Sequence, residues 1–264
     1  MLPAIFVSHG APDLVLTDAP AKVFLENLLS HLAETPKAIL VASAHWETGK
    51  PSISAPVVND TIYDFGGFSE ALYRMRYPAP GSADLAERAA ALLTDQGMSV
   101  TLDRRRGLDH GAWVPLTLMR PQADIPVAQI SLQTRLGPAH HMAIGAALAP
   151  LRQEGVLVLG SGSFTHDLSE YMAYRRVLAA PEPQWVSDFA DWFDAALQRG
   201  ATEDVLDYRR LAPFAAKNHP TEEHLLPLYV AMGAAGTNAK PRRLHASTTH
   251  GVLRMDVYAF GDDQ

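Results

Sequence analysis

Three histidines that follow short apolar segments are the residues of this sequence best suited to chemistry. They are His9 after residues 3–8, His45 after residues 38–44, and His166 shortly after residues 156–160. These segments have the composition of buried strands, and in an open α/β sheet ligands bind outside the carboxyl ends of the strands. Imidazole is the commonest metal ligand and titrates near neutrality. The sequence therefore predicts a metal centre at the strand ends with a histidine acid or base beside it.

A polar segment near the C-terminus, residues 218–227, is a second source of ligands. Acidic residues are favoured in the first turn of a helix, and a helix starting near Thr221 would explain Glu222 and Glu223 without any chemistry. Pro227 cannot donate to the carbonyl of Glu223, which predicts irregular backbone beside His224. Either His224 or Glu223 can then supply a third ligand. We expect His219, earlier in the segment, beside the site rather than in it.

A fifth histidine, His110, lies in a segment expected to be a loop. Its neighbour Asp109 is adjacent in sequence, which does not make the two side chains touch, so no His–Asp pair is inferred. Four further residues could line a substrate pocket or could equally belong to the core or the surface. These are Trp46, Phe65, Trp113 and, at the pocket edge, His250.

Length and patterning predict one α/β domain over residues 1–264. The chain is 47% hydrophobic, enough for a sizeable core, and strand and helix signals alternate along it. We expect helices near residues 20–32, 82–93, 138–153, 184–198 and 221–232, strands at 127–132 and 253–260 in addition to those above, and an ordered loop at 61–81.

Charge and cysteine content exclude several function classes. The formal net charge is −7, which argues against electrostatic capture of nucleic acid or an anionic membrane surface. There is no uninterrupted apolar span of membrane length, and the start lacks the basic region of a secretory signal, so we expect a cytoplasmic protein. Without cysteine there are no disulfides, thiolate ligands or cysteine nucleophile. The sequence does not indicate an oligomeric state.

Seven short motifs together carry a family resemblance. In chain order they are Ser8-His9-Gly10, Ser43-Ala44-His45-Trp46, residues 63–68, residues 77–81, Leu108-Asp109-His110-Gly111, Gly160-Ser161-Gly162 with His166, and residues 220–224. Each is weak alone, but the ordered set resembles the DOPA 4,5-extradiol dioxygenase family, a branch of the class III extradiol ring-cleavage dioxygenase superfamily. The resemblance covers essentially the whole chain.

The resemblance implies a single-domain fold with a central mixed sheet flanked by helices, and a non-haem Fe(II) centre. Zinc often occupies such sites in the isolated protein. His9, His45 and His224 match metal-binding positions, and His166 matches a position assigned either to the metal or to catalysis. His110 matches an acid/base histidine.

One departure from the superfamily pattern concerns the third ligand. The broader superfamily uses two histidines and one glutamate, the facial triad of Fe(II) oxygenases. Here the third position is matched by His224, with Glu223 next to it. A neutral three-histidine site also suits zinc.

The implied reaction is oxidative ring opening of a small catechol by O₂, with His110 and His166 sharing the proton transfers in either order. For L-DOPA, cleavage between C4 and C5 leads to betalamic acid, and cleavage between C2 and C3 leads to muscaflavin. Two alternatives remain at this point: a zinc-dependent hydrolase using the same histidines, and a non-enzymatic binding protein on the same fold.

Overall fold

The computed structural model describes residues 1–236 and 239–261, so residues 237–238 and 262–264 of the expected domain lie outside the described residues. Its strands are β1 (Ala4–Ser8), β2 (Ala38–Glu47), β3 (Ser52–Ser54), β4 (Thr101–Asp103), β5 (Val127–Leu132), β6 (Val156–Gly162), β7 (Pro241–His245), β8 (Thr248–Thr249), β9 (Leu253–Arg254) and β10 (Val257–Phe260). Its α-helices are α1 (Pro20–Asn27), α2 (Glu70–Arg74), α3 (Ala83–Asp95), α4 (His110–Met119), α5 (Gly137–Leu148), α6 (Pro150–Gln153), α7 (Leu168–Tyr174), α8 (Gln184–Gln198), α9 (Thr202–Leu206), α10 (Tyr208–Leu211), α11 (Ala215–Asn218) and α12 (Leu226–Ala235). Short 3₁₀ helices cover Pro12–Leu16, Leu28–His31 and Thr134–Leu136.

A single mixed sheet organises the described residues. Its strand order is β4-β3-β5-β2-β6-β1-β10-β7, and a separate two-stranded ribbon joins β8 to β9. The four central strands, β5, β2, β6 and β1, run parallel to one another. β10 is antiparallel to its neighbours β1 and β7, and β3 is antiparallel to β5. The prediction of an α/β fold with a central mixed sheet is confirmed.

Helices cover both faces of this sheet, which is why the central strands are nearly continuous apolar runs. One face packs mainly against α3, α5, α8 and α12, and the other against α1 and α4. Because β1, β2 and β6 are parallel neighbours, their carboxyl ends meet at one edge. That edge is where the sequence places His9, His45 and His166.

Most predicted elements are present, with differences at their ends. β5 and α8 have the predicted bounds, and Ser82 caps α3 by accepting a hydrogen bond from the Leu85 N–H at 3.2 Å. The predicted helix 138–153 is divided at Pro150, because a proline begins a helix more readily than it continues one. The predicted strand 253–260 is divided by the buried Asp256.

Four short strands, β3, β4, β7 and β8, were not predicted, because runs of two to five residues give little periodic signal. The segment 61–81, expected to be loop, contains the one-turn helix α2. None of the helices in residues 1–236 and 239–261 has the length and apolar character that a bilayer span requires.

Candidate metal centre and active site

Three histidines converge at the carboxyl edge of the sheet. His9 follows β1 directly, and His45 lies inside β2, which extends three residues further than expected. The pairing of β2 with β5 becomes irregular after Ala42, so His45 departs from the regular ladder. His224 lies in the turn before α12.

The turn that carries His224 is fastened to the end of β6. The His224 carbonyl accepts a hydrogen bond from the Ser163 N–H at 2.8 Å. A Cβ atom on Gly162 would lie 2.0 Å from that carbonyl oxygen, so only glycine permits this approach. The helix predicted from Thr221 begins only at Leu226, because Pro227 occupies its first turn, where the missing N–H is tolerated. This delay leaves His224 in irregular backbone, as predicted.

The Nε2 atoms of the three rings face one another. Those of His9 and His45 are 3.1 Å apart, and those of His45 and His224 are 3.3 Å apart. One ligand atom from each of the three residues lies within 4.8 Å of the others. His9 and His224 are 2% and 5% exposed, so the cluster is almost enclosed by protein.

The opposite nitrogen of His9 has a fixed hydrogen-bond partner. His9 Nδ1 lies 3.0 Å from the Ser161 Oγ. The Ser161 hydroxyl donates its only proton to the carbonyl of Gly111, so it can only accept from the ring. This network assigns the proton to His9 Nδ1 and leaves a lone pair on Nε2.

In the other two rings, a carboxylate lies beside the Nδ1 atom. His224 Nδ1 lies 3.0 Å from Glu223 Oε1, and His45 Nδ1 lies 3.4 Å from Asp64 Oδ2. A carboxylate can only accept, so His224 Nδ1 carries the proton and its Nε2 presents a lone pair. At His45 the Asp64 carboxylate is near Nδ1 without a hydrogen bond, and its negative charge favours the proton on the same side of the ring. Carboxylate–histidine pairs of this kind orient the ligands of metal sites. Glu223, the alternative third ligand, therefore accepts a hydrogen bond from Nδ1 of His224, on the side of the ring opposite Nε2.

Burial keeps all three imidazoles neutral. Burial first, and then the neighbouring histidines His45 and His110, hold the pKa of His9 well below its usual range. Burial and the charges of His166 and His45 have the same effect on the pKa of His224. Burial and His110 lower the pKa of His45 to about 3, although Asp64 opposes them. Neutral imidazole is the form that ligates metals.

This arrangement fits a divalent metal ion. Lone pairs facing each other at 3.1 and 3.3 Å repel unless a cation lies between them. Two metal–nitrogen bonds of about 2.0–2.1 Å place their nitrogens roughly 3.0–3.4 Å apart at octahedral or tetrahedral angles. The three histidines can therefore hold one ion, and their neutral donor set suits iron and zinc alike.

His110 lies beside this cluster but is anchored differently. It is the first residue of α4 rather than part of a loop, and Asp109 caps that helix by accepting from the Ala112 N–H. The His110 N–H, which has no partner within the helix, donates to Asp64 Oδ1 at 3.0 Å. The ring Nδ1 lies 2.9 Å from the same oxygen. His110 Nε2 is consequently the nitrogen left to contact a ligand.

Asp64 joins a metal-site histidine to the candidate base. Its Oδ1 atom accepts a hydrogen bond from His110 Nδ1, and its Oδ2 atom lies near His45 Nδ1. Burial by itself raises the pKa of Asp64, but the hydrogen bonds and charge of His110 outweigh it and lower that pKa to about 2. Asp64 is thus a permanent anion between two imidazoles.

His166 follows β6 and stacks on His224. The two ring centroids are 3.4 Å apart and the rings are nearly parallel, at 10°. Burial, followed by the charges of His45 and His110, lowers the pKa of His166 to about 3. His166 forms a neighbouring group with Glu223 and His224 rather than with His9 and His45.

A pocket of about 690 Å³ opens above the histidines. Phe65 lines it, together with His9, His45, His110, His166 and His224. The structure does not bring the other predicted wall residues to this pocket. Trp46 is buried beneath the Arg106 guanidinium, and Trp113 is fully buried with its indole N–H donating to the Ile62 carbonyl.

The two peripheral histidines also lie outside the pocket lining. His219 is buried against Phe189, and its Nε2–H donates a hydrogen bond to the Phe164 carbonyl. His250 packs edge-on against Tyr171, which itself lines the pocket. Neither ring reaches the metal-site cluster.

Four residues of the site were not predicted to be functional from the sequence: Asp64, Asp109, Gly111 and Ser161. Asp109 accepts from Ser43, Gln129 and Arg106, and thereby fixes the start of α4. A Cβ on Gly111 would lie 2.5 Å from Ser43 Oγ, which explains the glycine after His110. The only local signal for Asp64 is a single acid in an aromatic, glycine-rich loop.

Comparison with known proteins agrees with this geometry. Residues 3–258 match the family model described as the catalytic LigB subunit of aromatic ring-opening dioxygenase. A 4,5-DOPA dioxygenase extradiol of Beta vulgaris is 48% identical over 97% of this chain and 95% of its own length. The protein of the same name from Escherichia coli K12 is 38% identical over 88% of this chain and 85% of its own length.

A solved structure supports the same assignment. The crystal structure of an uncharacterized protein from Escherichia coli K12 superposes with a TM-score of 0.80 at 32% identity, covering 99% of this chain and 100% of that one. The family match spans nearly the whole chain and includes every histidine of the cluster. The chain therefore belongs to the LigB family of aromatic ring-opening dioxygenases.

Proposed function

We propose that this protein is a metal-dependent extradiol dioxygenase that cleaves L-DOPA between C4 and C5, giving the product that cyclises to betalamic acid. The observation that carries the proposal is the convergence of three Nε2 lone pairs at the floor of an open pocket. Membership of a ring-opening family supports the reaction class. The name 4,5-DOPA dioxygenase extradiol, borne by relatives 40–48% identical to the chain, supports the substrate and the bond cleaved.

Fe(II) is the metal we propose for the active enzyme, with Zn(II) able to occupy the same three histidines. When bound, Fe(II) would bring both catechol oxygens and O₂ to one centre and couple the oxidation of the ring to the reduction of O₂. His9, His45 and His224 would hold it. Zn(II), which has no redox chemistry, would fill the site without supporting this reaction.

His110 is the proposed general base. Its Nδ1–H is held by Asp64 at 2.9 Å, so the free Nε2 can accept a proton from a catechol hydroxyl in the pocket. The imidazolium formed in this way lies against the Asp64 carboxylate, which stabilises its charge. The same proton is then available for the later step in which the O–O bond breaks.

His166 has a different proposed task. Its low pKa keeps the ring neutral near pH 7, and its stacking on His224 holds it next to the metal-site cluster. A neutral imidazole there can donate one hydrogen bond to the bound substrate or to O₂. This orients the reactants without transferring the first proton.

An oxygen-electrode assay of anaerobically reconstituted protein tests the proposal. The protein is loaded with Fe(II), or with Zn(II) as the matched control, and given L-DOPA under ¹⁸O₂. We expect O₂ uptake and two ¹⁸O atoms in the ring-opened product with Fe(II) only, and chromatography should identify the C4–C5 product.

The outcomes separate the alternatives. Hydrolysis of L-DOPA methyl ester by the Zn(II) form, with no O₂ uptake on L-DOPA by the Fe(II) form, would instead identify a hydrolase, and binding of L-DOPA without turnover in either form would identify a binding protein. A C2–C3 product would retain the reaction class and change the bond. The variant His31→Ala, an exposed histidine away from the site, should behave as the parent protein.

A further inference from the structure

One wall of the pocket carries charge that the ring-cleavage chemistry does not use. It is formed by the 3₁₀ helix Pro12–Leu16 and by α7 with the two residues that follow it, and we call it the charged wall. Asp13, Tyr171, Arg175 and Arg176 lie along it. Because the histidines are buried and the two arginines exposed, the histidines form the floor of the pocket and the arginines lie at its rim.

Asp13 is a half-buried acid of the charged wall. Its Oδ1 atom is enclosed and has no hydrogen-bond partner, and no ion pair links this carboxylate to a cation within residues 1–236 and 239–261. An enclosed carboxylate without a partner costs free energy that a bound cation would offset. Burial raises the pKa of Asp13 and the charge of His250 opposes this, as expected for a carboxylate held away from water.

The neighbours of Asp13 place it close to an arginine of the same wall. Burial first, and then the charge of Asp13, raises the pKa of the Tyr171 phenol to about 12, and Arg175 opposes them. Both charges therefore act on the same phenol of the charged wall. In the part of the chain that the structure describes, neither Arg175 nor Arg176 forms an ion pair.

We propose that the charged wall binds the amino-acid end of the substrate, with Asp13 receiving the α-ammonium group and Arg175 and Arg176 receiving the α-carboxylate. This rests on the proposed function, since it assumes a catechol whose ring oxygens lie over the histidines. A pocket of about 690 Å³ accommodates the ring and its side chain together. The carboxylate–ammonium pair lies deeper than the guanidinium–carboxylate pairs, so Asp13 contributes more to selectivity.

Three catechols that differ only in the tail test this assignment in the Fe(II)-loaded enzyme. They are L-DOPA with both charges, dopamine with the ammonium only, and 3,4-dihydroxyphenylpropanoate with the carboxylate only. A hydrogen-bonded charge pair contributes about 1.5–3 kcal/mol, so Asp13→Asn should lower the L-DOPA to 3,4-dihydroxyphenylpropanoate ratio of kcat/KM by about 10- to 100-fold, mainly through KM. Exposed pairs are weaker, so Arg175→Gln combined with Arg176→Gln should lower the L-DOPA to dopamine ratio by about 3- to 5-fold.

A matched control and a second readout keep the test decisive. Asp18→Asn, an exposed acid in the same segment, should leave both ratios unchanged. Calorimetric binding of the monophenols L-tyrosine, tyramine and 4-hydroxyphenylpropanoate should show the same order of preference without any ring cleavage.

Equal losses on all three catechols in Asp13→Asn, or tyrosine binding no tighter than 4-hydroxyphenylpropanoate, would overturn the assignment. If no catechol is cleaved but the monophenol series keeps its order, the proposed function fails and the charged wall remains a site for an amino-acid end.

Discussion

Two kinds of buried histidine in this protein differ in what surrounds the Nε2 atom of the ring. His141 on α5 has both nitrogens satisfied by backbone: Nδ1 donates to the Gly137 carbonyl at 2.7 Å, and Nε2 accepts from the Gln133 N–H at 3.1 Å. The three metal-site histidines each have a protein partner on Nδ1 alone, and their Nε2 atoms face one another. Burial is similar in the two kinds, so burial does not distinguish a ligand from a structural histidine.

The difference teaches how to recognise a ligand before any ion is seen. A structural histidine uses both ring nitrogens for hydrogen bonds within the fold, as His141 does. A ligand histidine has its rear nitrogen fixed by a serine or a carboxylate and its front nitrogen directed at a shared point. Five predictions, in order of decreasing effect, test this distinction.

The largest effect is expected for removal of a ligand. His224→Ala or His45→Ala should weaken metal binding by about 10²–10³-fold, because the roughly 10–16 kcal/mol of a four-ligand zinc site amounts to about 3–4 kcal/mol per ligand. Elemental analysis after loading with Fe(II) and dialysis measures this. The control His141→Ala should lower stability but retain the ion, and full metal occupancy in either ligand variant would invalidate the assignment.

Loss of the proposed base should come next. His110→Ala should lower kcat by about 10²–10⁴-fold while the metal content stays near that of the parent, because we propose His110 as the base and not as one of the three metal ligands. Single-turnover O₂ uptake by the Fe(II) form gives the rate. Parental turnover in this variant would reject the role of His110.

His166→Ala should have an intermediate effect. We expect about a 10²-fold loss of turnover at unchanged iron content, since three ligands remain and only an orienting hydrogen bond is lost. Iron content and kcat are measured on the same preparation. A metal-free His166→Ala protein would show that His166 is a fourth ligand.

Replacement of Asp64, the carboxylate between the rings of His45 and His110, should lower activity or metal affinity by a smaller factor. Asp64→Asn keeps the size of the side chain but removes the charge that lies next to both His45 and His110, and outer-shell changes of this type cost about 10–100-fold in activity or metal affinity. Asp64→Glu, which retains the charge, should recover part of the loss. The exposed Asp60→Asn in the same loop is the control, and an Asp64→Asn enzyme as active as that control would remove Asp64 from the mechanism.

The smallest effect concerns pH and stability. Burial lowers the pKa of His141 to about 4, although its hydrogen bond to Gly137 opposes this. As the folded pKa lies below the unfolded value of about 6.5, the unfolded chain takes up the proton first when the pH falls. The contribution of a neutral His141 to the unfolding free energy is complete above pH 6.5 and is lost as the pH falls towards 4, by about 3 kcal/mol at most.

Urea unfolding of the metal-free protein between pH 7 and 4 measures this term. The slope of the unfolding free energy against pH should be shallower in His141→Gln than in the parent protein. His31→Ala, an exposed histidine, should keep the parental slope. Equal slopes in His141→Gln and the parent would mean that His141 is not held neutral by burial.

Local sequence determined the fold class, the placement of the strands and the residues available for chemistry. The apolar runs of β1, β2 and β6 are continuous, so these strands and the histidines near their carboxyl ends could be read from the neighbouring residues, although β2 and β6 extend beyond the predicted ends. Likewise, Pro227 indicated the irregular backbone around His224. The ordered motifs then indicated the family, which the match over residues 3–258 confirms.

Tertiary structure decided which nitrogen of each ring faces the centre. The partner of His9 is 152 residues away, His224 meets His45 across 179 residues, and Asp64 reaches His110 across 46. Periodicity encodes only which face of an element a residue occupies, and it carries no signal for hydrogen bonds between distant segments. For the same reason the sequence could not separate Phe65, which reaches the pocket, from Trp46 and Trp113, which packing buries elsewhere.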